Sequence, residues 1–300
     1  MERLQTVKTI IMKDENIHTL INSKTGELAF KLYTLENWQQ YDHVQRLNYY
    51  SLIWIKNGVG QAIIDTNTFE YKESMLFTLD PYQPFMFNPS TETTAIIIHF
   101  HSDFFCIYKH QKEVSCDGVL FNNTFGLPFV DVDEKSENDL NWIVGNMENE
   151  IQENQFASSD SIFSYLKLFL INCSRLKANV GPSNEFSEEH QVLIALKDLM
   201  NEHYKTYHTP KSYAELLHYS TKNLSKIVKD NYGKTLSSLI NDKIIMEAKR
   251  ELYLTGKTIK EIAYDLGYDD EYYFSRFFKK HAGVSPKIFR TTVGYNKLEA

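Results

Sequence analysis

Two segments near the carboxyl end of this 300-residue chain place similar side chains at matching positions, about fifty residues apart. The first reads AELLHYSTKNLSKIVKDNYG, from Ala214 to Gly233, and the second reads AYDLGYDDEYYFSRFFKKHAG, from Ala263 to Gly283. The second copy has one extra residue, and the aligned pairs are Ala214/Ala263, Leu217/Leu266, Tyr219/Tyr268, Ser225/Ser275, Lys226/Arg276 and Gly233/Gly283. Serine, lysine and arginine side chains donate hydrogen bonds to phosphates and to base edges. The repeat therefore predicts two similar surfaces suited to contact with nucleic acid.

Each copy has the parts of a helix-turn-helix, namely a short helix with a small alanine, a tight turn and a second helix. Gly267 supplies the turn in the second copy, and Ser220 or Asp269 is expected to cap the second helix. The side chains predicted to form the core are Leu224, Ile227 and Val228 in the first copy, and Tyr268, Tyr273, Phe274, Phe277 and Phe278 in the second. The remaining polar face of each second helix is then free to enter the major groove of DNA.

The segment between the copies, LSSLINDKIIMEAKRELYLTG, predicts a helix that connects them. Its apolar side consists of Leu236, Leu239, Ile240, Ile244, Ala248 and Leu252. A rigid helix here would hold the two recognition helices about 34 Å apart, which is one turn of DNA. One chain could then contact two successive segments of the major groove.

The stretch IKEIAYDLGYDDEYYFSRFFKKHAGVSPKIFR, from Ile259 to Arg290, resembles the second helix-turn-helix signature of the AraC/XylS transcription regulators. The resemblance extends back to about Glu188 and implies a double helix-turn-helix DNA-binding domain over residues 188–291. It places DNA contacts on Lys222, Asn223, Ser225 and Lys226 of the first recognition helix, and on Glu271, Tyr272, Ser275, Arg276 and Lys279 of the second. The run Asp269-Asp270-Glu271 would repel phosphates unless it caps the helix or accepts from cytosine, which leaves the role of Glu271 open.

The charge of the chain is divided unevenly along its length. The net charge is −7, but residues 1–186 carry 14 basic and 24 acidic side chains, whereas residues 187–300 carry 18 and 15. A length of 300 residues also exceeds the usual size of one hydrophobic core. We therefore expect an acidic domain over residues 1–180, a Gly-Pro-Ser-Asn linker within residues 177–187, and a basic domain that approaches phosphates.

The amino-terminal part predicts short strands from about Glu27 to Phe105, with turns at Asn57-Gly58, Asp80-Pro81 and Asn88-Pro89. This pattern is typical of a β-barrel or sandwich, and the resemblance implies a cupin-like antiparallel barrel. The overall fold class expected is α+β with two domains. Two amphipathic helices follow, with apolar faces at Leu140, Ile143, Val144, Met147 and Ile151, and at Ile162, Leu166, Phe169, Leu170 and Cys173. These faces could pack on the barrel or pair with a second chain.

A barrel of this size can hold one small ligand among its inward side chains. Strand alternation selects Trp38, Tyr50, Trp54, Phe85, Phe87 and His99 as candidate ligand-binding residues, with simple core filling as the alternative. His99 and His101 are two residues apart and could share one face with His43 nearby, but no nearby glutamate completes a metal-binding set. Cys106 and Cys116 match no reactive-cysteine motif, although a redox pair is an alternative.

Together these features favour a cytoplasmic, sequence-specific transcription regulator, and they leave open whether it activates or represses. The expected partners are double-stranded promoter DNA, a small-molecule effector, RNA polymerase, and a second copy bound through helices 137–176. No cofactor, metal site, membrane association or enzymatic activity is expected.

Two other classes stay open. An enzyme would need either a complete His/Glu set of a metal-dependent cupin or the zinc-binding cysteine cluster of a DNA-repair methyl acceptor. The three cysteines of the chain do not supply the latter. A scaffold protein would keep the helical domain without specific readout of DNA.

Overall fold

The structure is a computed structural model that describes residues 7–9, 17–22, 26–65, 67–107, 109–110, 114, 120–121, 127–153, 156–179 and 188–293. The described residues up to Phe121 and from Pro128 to Asn179 form one compact unit, and those from 188 onward belong to a second. The division falls within the predicted linker, of which residues 180–187 lie outside the described residues.

The amino-terminal unit contains two antiparallel sheets. Its strands are β1 (Val7–Thr9), β2 (Ile17–Asn22), β3 (Leu28–Leu35), β4 (Tyr50–Asn57), β5 (Gly60–Ile64), β6 (Asn67–Tyr71), β7 (Met75–Leu79), β8 (Phe85–Pro89), β9 (Thr94–Phe100) and β10 (Phe129–Asp131). A short 3-10 helix, Trp38–Tyr41, precedes β4. The larger sheet has the order β1-β2-β3-β9-β4-β7-β10, and the smaller has the order β6-β5-β8. The cupin-like antiparallel arrangement is confirmed, with the described strands divided between two sheets rather than joined in one closed ladder.

The predicted turns differ in how well they match the structure. Gly58 lies between β4 and β5 at φ +101°, and a Cβ there would be 2.2 Å from Thr93 Oγ1, so this turn requires glycine. Asp80-Pro81 follows β7 as predicted. The turn predicted at Asn88-Pro89 is wrong, because β8 continues to Pro89 and the chain turns only after it. Proline is tolerated at the end of an outer strand, where its missing N–H costs no ladder bond.

The larger sheet has a separate apolar core on each of its faces. Ile53, Phe77 and Ile97 face the smaller sheet, where they meet residues such as Ala62 and Phe87. The opposite face is covered by α1 (Glu134–Glu153) and α2 (Ser158–Asn179). Both faces are therefore buried within this unit, which explains why β4 is apolar along nearly its whole length.

The two amphipathic helices pack within their own chain. All ten apolar residues predicted on their faces are buried in the core that they share with the larger sheet. The sequence left open whether these faces pack within the chain or pair with a second copy, and in the structure they pack within the chain. A second copy of the chain would therefore have to bind another face of these helices.

The carboxy-terminal unit is helical throughout its regular structure. Its helices are α3 (Glu188–His203), α4 (Pro210–Leu216), α5 (Thr221–Tyr232), α6 (Leu236–Leu254), α7 (Ile259–Asp265), α8 (Glu271–Ala282) and α9 (Pro286–Val293). The connecting helix predicted between the repeats is α6, and its six predicted apolar residues are all buried. Among the described residues, no helix is both long enough and apolar enough to span a bilayer.

Candidate nucleic-acid interface

The first helix-turn-helix unit consists of α4 and α5, and each helix begins at a capped end. The Thr209 hydroxyl accepts a hydrogen bond from the first turn of α4, and Pro210 opens that helix. The Ser220 hydroxyl accepts from the backbone N–H of Asn223 at 3.1 Å, so the predicted cap of α5 is confirmed. Gly233 ends α5 in the left-handed conformation. These two ends fix the length of the first recognition helix.

The second unit consists of α7 and α8. Thr258 and Glu261 form a reciprocal capping box at the start of α7. The Asp270 carboxylate accepts from the backbone N–H of Tyr273 and caps α8, so the prediction of Asp269 is wrong by one residue. Either of two adjacent aspartates fits the pattern of a cap, and only the backbone shows which one has the extended conformation that a cap requires.

The turns of the two units share one backbone geometry. In each unit the tyrosine after the turn donates its N–H to the carbonyl of the small alanine, at 2.9 Å. These bonds join Tyr219 to Ala214 and Tyr268 to Ala263. The residue before each tyrosine has a positive φ, +57° at His218 and +79° at Gly267. The repeat seen in the sequence is therefore also a repeat of hydrogen bonds.

The turn of the second unit leaves no room for a side chain. A Cβ on Gly267 would lie 2.0 Å from the carbonyl oxygen of Lys205, which follows α3. Next to this contact, the His208 ring stacks on the Tyr268 ring with centroids 4.9 Å apart. The predicted turn at Gly267 is confirmed, and close packing adds a second reason for glycine at this position.

The inward faces of both recognition helices are largely as predicted. The fully buried side chains are Leu224, Val228, Phe274 and Phe278, while Ile227 and Phe277 are half-buried. Tyr268 is also buried. Tyr273 was predicted in the core and is instead 58% exposed. It lies one residue before Phe274, which turns it about 100° away from the inward face.

The outward faces hold most of the residues that the resemblance assigned to DNA contact. Lys222, Asn223 and Lys226 are exposed on α5, and Ser225 is half-buried beside them. On α8 the exposed residues are Tyr272, Arg276 and Lys279, and the half-buried ones are Glu271 and Ser275. Residues three or four apart on a helix share a face, so each helix brings its assigned residues to one side.

The cations of these outward faces differ from Lys257, which lies between α6 and α7. Lys257 bonds to Glu251 at 2.9 Å and to Asp265 at 2.7 Å, and these two bonds raise the pKa of its amine. By contrast, within the part of the chain that the structure describes, no carboxylate pairs with Lys222, Lys226 or Arg276. Unpaired exposed cations are available for phosphates.

One residue of this surface was missed at the level of the sequence. Lys229 is exposed on α5 and corresponds to Lys279 of α8 when the two copies are aligned. It follows Lys222 by seven residues, or about two helical turns, and so shares its face. The alignment of the repeat contained this signal, because it pairs every residue of α5 with one of α8.

Comparisons with known proteins identify this helical unit. A family model described as a helix-turn-helix domain matches residues 213–292. The Arabinose operon regulatory protein of Escherichia coli is 38% identical over 71 residues, which cover 24% of each chain. The carboxy-terminal domain belongs to the AraC/XylS family. The resemblance drawn from Ile259 to Arg290 is thereby confirmed.

Two further curated relatives of this AraC/XylS domain also match over only part of their length. An uncharacterized HTH-type transcriptional regulator, YisR of Bacillus subtilis, is 35% identical over 107 residues, which cover 36% of this chain and 37% of YisR. The bifunctional transcriptional activator/DNA repair enzyme AdaA of Bacillus subtilis is 29% identical over 118 residues, which cover 39% of this chain and 54% of AdaA. A crystal structure of ToxT from Vibrio cholerae aligns with 88% of this chain and 99% of its own, at 16% identity and a TM-score of 0.41.

Outside the AraC/XylS domain, the six candidate ligand-binding residues are all buried but lie on two sides of the larger sheet. Trp38, Phe85 and Phe87 lie in the core between the sheets. Tyr50 and Trp54 lie on the opposite face, against α1 and α2. The structure therefore brings the first three together with His99 but does not bring the last two to the same place.

His99 belongs to a buried polar cluster that the sequence did not indicate. Its Nδ1 lies 2.8 Å from Ser51 Oγ, and its Nε2 lies 3.1 Å from the Tyr41 hydroxyl and 3.3 Å from the Tyr33 hydroxyl. Burial, with a smaller contribution from Lys31, lowers the pKa of His99 to about 3, so its imidazole is neutral at pH 7. Burial also raises the pKa of Tyr41 to about 12. The pairing of β4 with β9 places Ser51 opposite His99, and sequence alone does not show that register.

The three histidines considered for metal binding make different contacts. His101 follows the end of β9, and its Nδ1 lies 3.4 Å from Asp103, while His43 is exposed next to Asp42. No group of three or more His, Cys, Asp or Glu side chains suited to a metal ion occurs among the residues with described positions. Cys106 is buried, and Cys116 lies outside the described residues.

Proposed function

We propose that this protein is a sequence-specific DNA-binding transcription regulator, whose two recognition helices contact successive segments of the major groove of promoter DNA. The observation that carries the proposal is the pair of capped helices α5 and α8, each with an exposed polar face and unpaired cations, within a domain of the AraC/XylS family. Such cations attract phosphates, and side chains of the first turn reach base edges.

The proposal assigns a separate role to residues 1–180. In it, the amino-terminal domain responds to a small effector, and Trp38, Phe85, Phe87 and His99, which share one side of the larger sheet, are the candidate contacts. Tyr50 and Trp54 would then support the helices rather than the ligand. The regulator acts without enzymatic chemistry of its own, and it contacts RNA polymerase when bound at a promoter.

A second copy of the chain is also part of the proposal. The surface that remains for it on α1 and α2 includes Trp142, which is 60% exposed, and the neighbouring ring of Tyr165. Dimerisation through this surface would place two DNA-binding domains on one promoter. Sedimentation of the purified chain with and without Trp142→Ala tests this arrangement, and the same mass for both proteins would contradict it.

The decisive experiment is to sequence the genomic DNA fragments that the purified full chain retains. A regulator with two recognition helices should enrich a recurrent site in two parts, whose centres are about 10 base pairs apart. A scaffold protein or an enzyme that has kept the helical domain but does not recognise a DNA sequence would retain fragments of unrelated sequence. Enrichment of no common sequence would therefore contradict the proposal.

A further inference from the structure

The outward faces of the two recognition helices carry the same chemistry at three aligned positions. The helices present a serine and two cations at equivalent places, which are Ser225, Lys226 and Lys229 on α5, and Ser275, Arg276 and Lys279 on α8. The first turns differ, because Lys222 on α5 corresponds to Tyr272 on α8. Side chains of the first turn are the ones that reach base edges, so the two units differ where sequence is read.

The Tyr272 ring is left exposed by its own domain. It is 74% exposed, and among the described residues it stacks on no other ring and makes no side-chain hydrogen bond. The neighbouring Tyr273 differs, because its ring lies 6.0 Å from that of Tyr268. Arg276 follows Tyr272 by four residues and therefore lies beside it on the outward face.

The charges around Tyr272 do not favour a phosphate at this point of α8. Glu271 lies in the first turn, and Asp269 and Asp270 precede it, whereas the first turn of α5 holds no acidic side chain. The cations of α8 begin one turn later, at Arg276. Repulsion by the carboxylates and attraction by Arg276 would together favour a phosphate near the middle of the helix rather than at its tip, where the Tyr272 ring lies.

We propose that Tyr272 reads the C5-methyl group of a thymine in the major groove. This inference rests on the proposed function and specifies how the second unit recognises its half of the site. An apolar side chain of the first turn can pack against a thymine methyl, the only methyl group that an unmodified base pair presents in the major groove. The second unit thus selects thymine by apolar contact, whereas the first unit donates hydrogen bonds from Lys222.

The test replaces single thymines by deoxyuridine, which removes the methyl group and leaves every hydrogen-bonding group in place. The probe is a duplex enriched from a random-sequence library by the full chain, labelled and titrated by fluorescence anisotropy at fixed salt. For the wild-type chain, deoxyuridine at one thymine should weaken binding about fourfold, the effect of burying one methyl group. The same replacement should have no effect on Tyr272→Ala, and it should keep its effect on Tyr272→Phe.

Lys222→Ala is the matched control, since it alters the equivalent position of the other unit and should leave the effect of that deoxyuridine unchanged. The inference is overturned if no thymine shows an effect that depends on Tyr272. It is equally overturned if Tyr272→Phe behaves like Tyr272→Ala, because the hydroxyl would then be the contacting group. Failure of the library to yield any enriched duplex would instead contradict the proposed function itself.

Discussion

The two helix-turn-helix units of the carboxy-terminal domain have the same turn but reach it with different residues. Both close the turn with a tyrosine N–H bonded to an alanine carbonyl at 2.9 Å, yet the left-handed residue is His218 in one and Gly267 in the other. The difference follows from the surroundings, because Gly267 lies against the backbone of Lys205 whereas His218 is exposed. The comparison teaches that the backbone of the repeat is maintained while its side chains adapt to local space.

The start of each recognition helix also keeps the same backbone hydrogen bond with a different side chain. Ser220 and Asp270 both cap by accepting a hydrogen bond from the third residue of the helix. The aspartate adds a charge, which favours the N-terminus of a helix but disfavours nearby phosphates. A change of one capping residue therefore leaves the helix in place and alters the groups that its first turn attracts.

Gly267→Ala is expected to have the largest effect of the variants that test this comparison, and the effect is on stability. Forcing a Cβ against the Lys205 carbonyl, in a left-handed conformation, should lower the free energy of unfolding by roughly 2 to 4 kcal/mol. The matched control is His218→Ala, which should change it by less than about 0.5 kcal/mol because this turn already holds a side chain. Urea denaturation of both variants measures the two values. Equal losses would show that the two turns do not differ as described.

The next effect concerns DNA affinity. Lys226→Ala and Arg276→Ala should each weaken specific binding about tenfold or more, since each removes an unpaired cation from an outward face. Lys72→Ala serves as the control, because it removes an exposed lysine from the amino-terminal domain. Affinities are measured at one salt concentration. Unchanged affinity for both variants would remove these helices from the interface.

Removal of either helix cap should lower the stability by a smaller and nearly equal amount. Ser220→Ala and Asp270→Ala should each lower the free energy of unfolding by about 1 kcal/mol. Asp269→Ala should have little effect, since the neighbouring carboxylate makes the capping bond. Thermal unfolding of the three variants checks the order, and a larger loss for Asp269→Ala than for Asp270→Ala would reverse the assignment.

The smallest effect on DNA affinity is expected for Lys229, the residue found by aligning the two units, and for its counterpart Lys279. Lys229→Ala and Lys279→Ala should weaken binding to all DNA sequences to a similar extent and reduce the slope of log affinity against log salt by about 1 each. A salt titration with specific and unrelated duplexes measures this. If Lys229→Ala changes only specific binding, its side chain contacts a base and the two positions are not equivalent.

The sequence predicted the parts of the fold that depend on hydrophobic period. The buried faces of α1, α2 and α6, and the strands β3, β4, β5, β7 and β9, follow from spacings of about 3.6 or 2 residues. Features whose position must be known to within one residue were predicted less well from the sequence. Tyr273 and Asp269 were each misplaced because an aromatic or acidic residue fits two adjacent positions of a helix start.

Contacts between strands that are far apart along the chain also could not be predicted from the sequence. The division of Tyr50 and Trp54 from Phe87 depends on which face of the larger sheet meets the helices. The approach of Tyr33, Tyr41 and Ser51 to His99 depends on strand register. Alternation along one strand identifies two faces but does not show which element covers each of them.

The length of α6 has a geometric consequence for the DNA site. Its 19 residues extend about 28 Å, and each residue added to a helix advances the next element by about 1.5 Å and rotates it by about 100°. If both units stayed folded, a single residue inserted into α6 would thus rotate the second recognition helix by about 100° relative to the first. Under the proposed function, the number of residues in this one helix would set the spacing and relative orientation of the two half-sites. A change in its length would then alter which promoters are bound without altering any residue proposed to contact DNA.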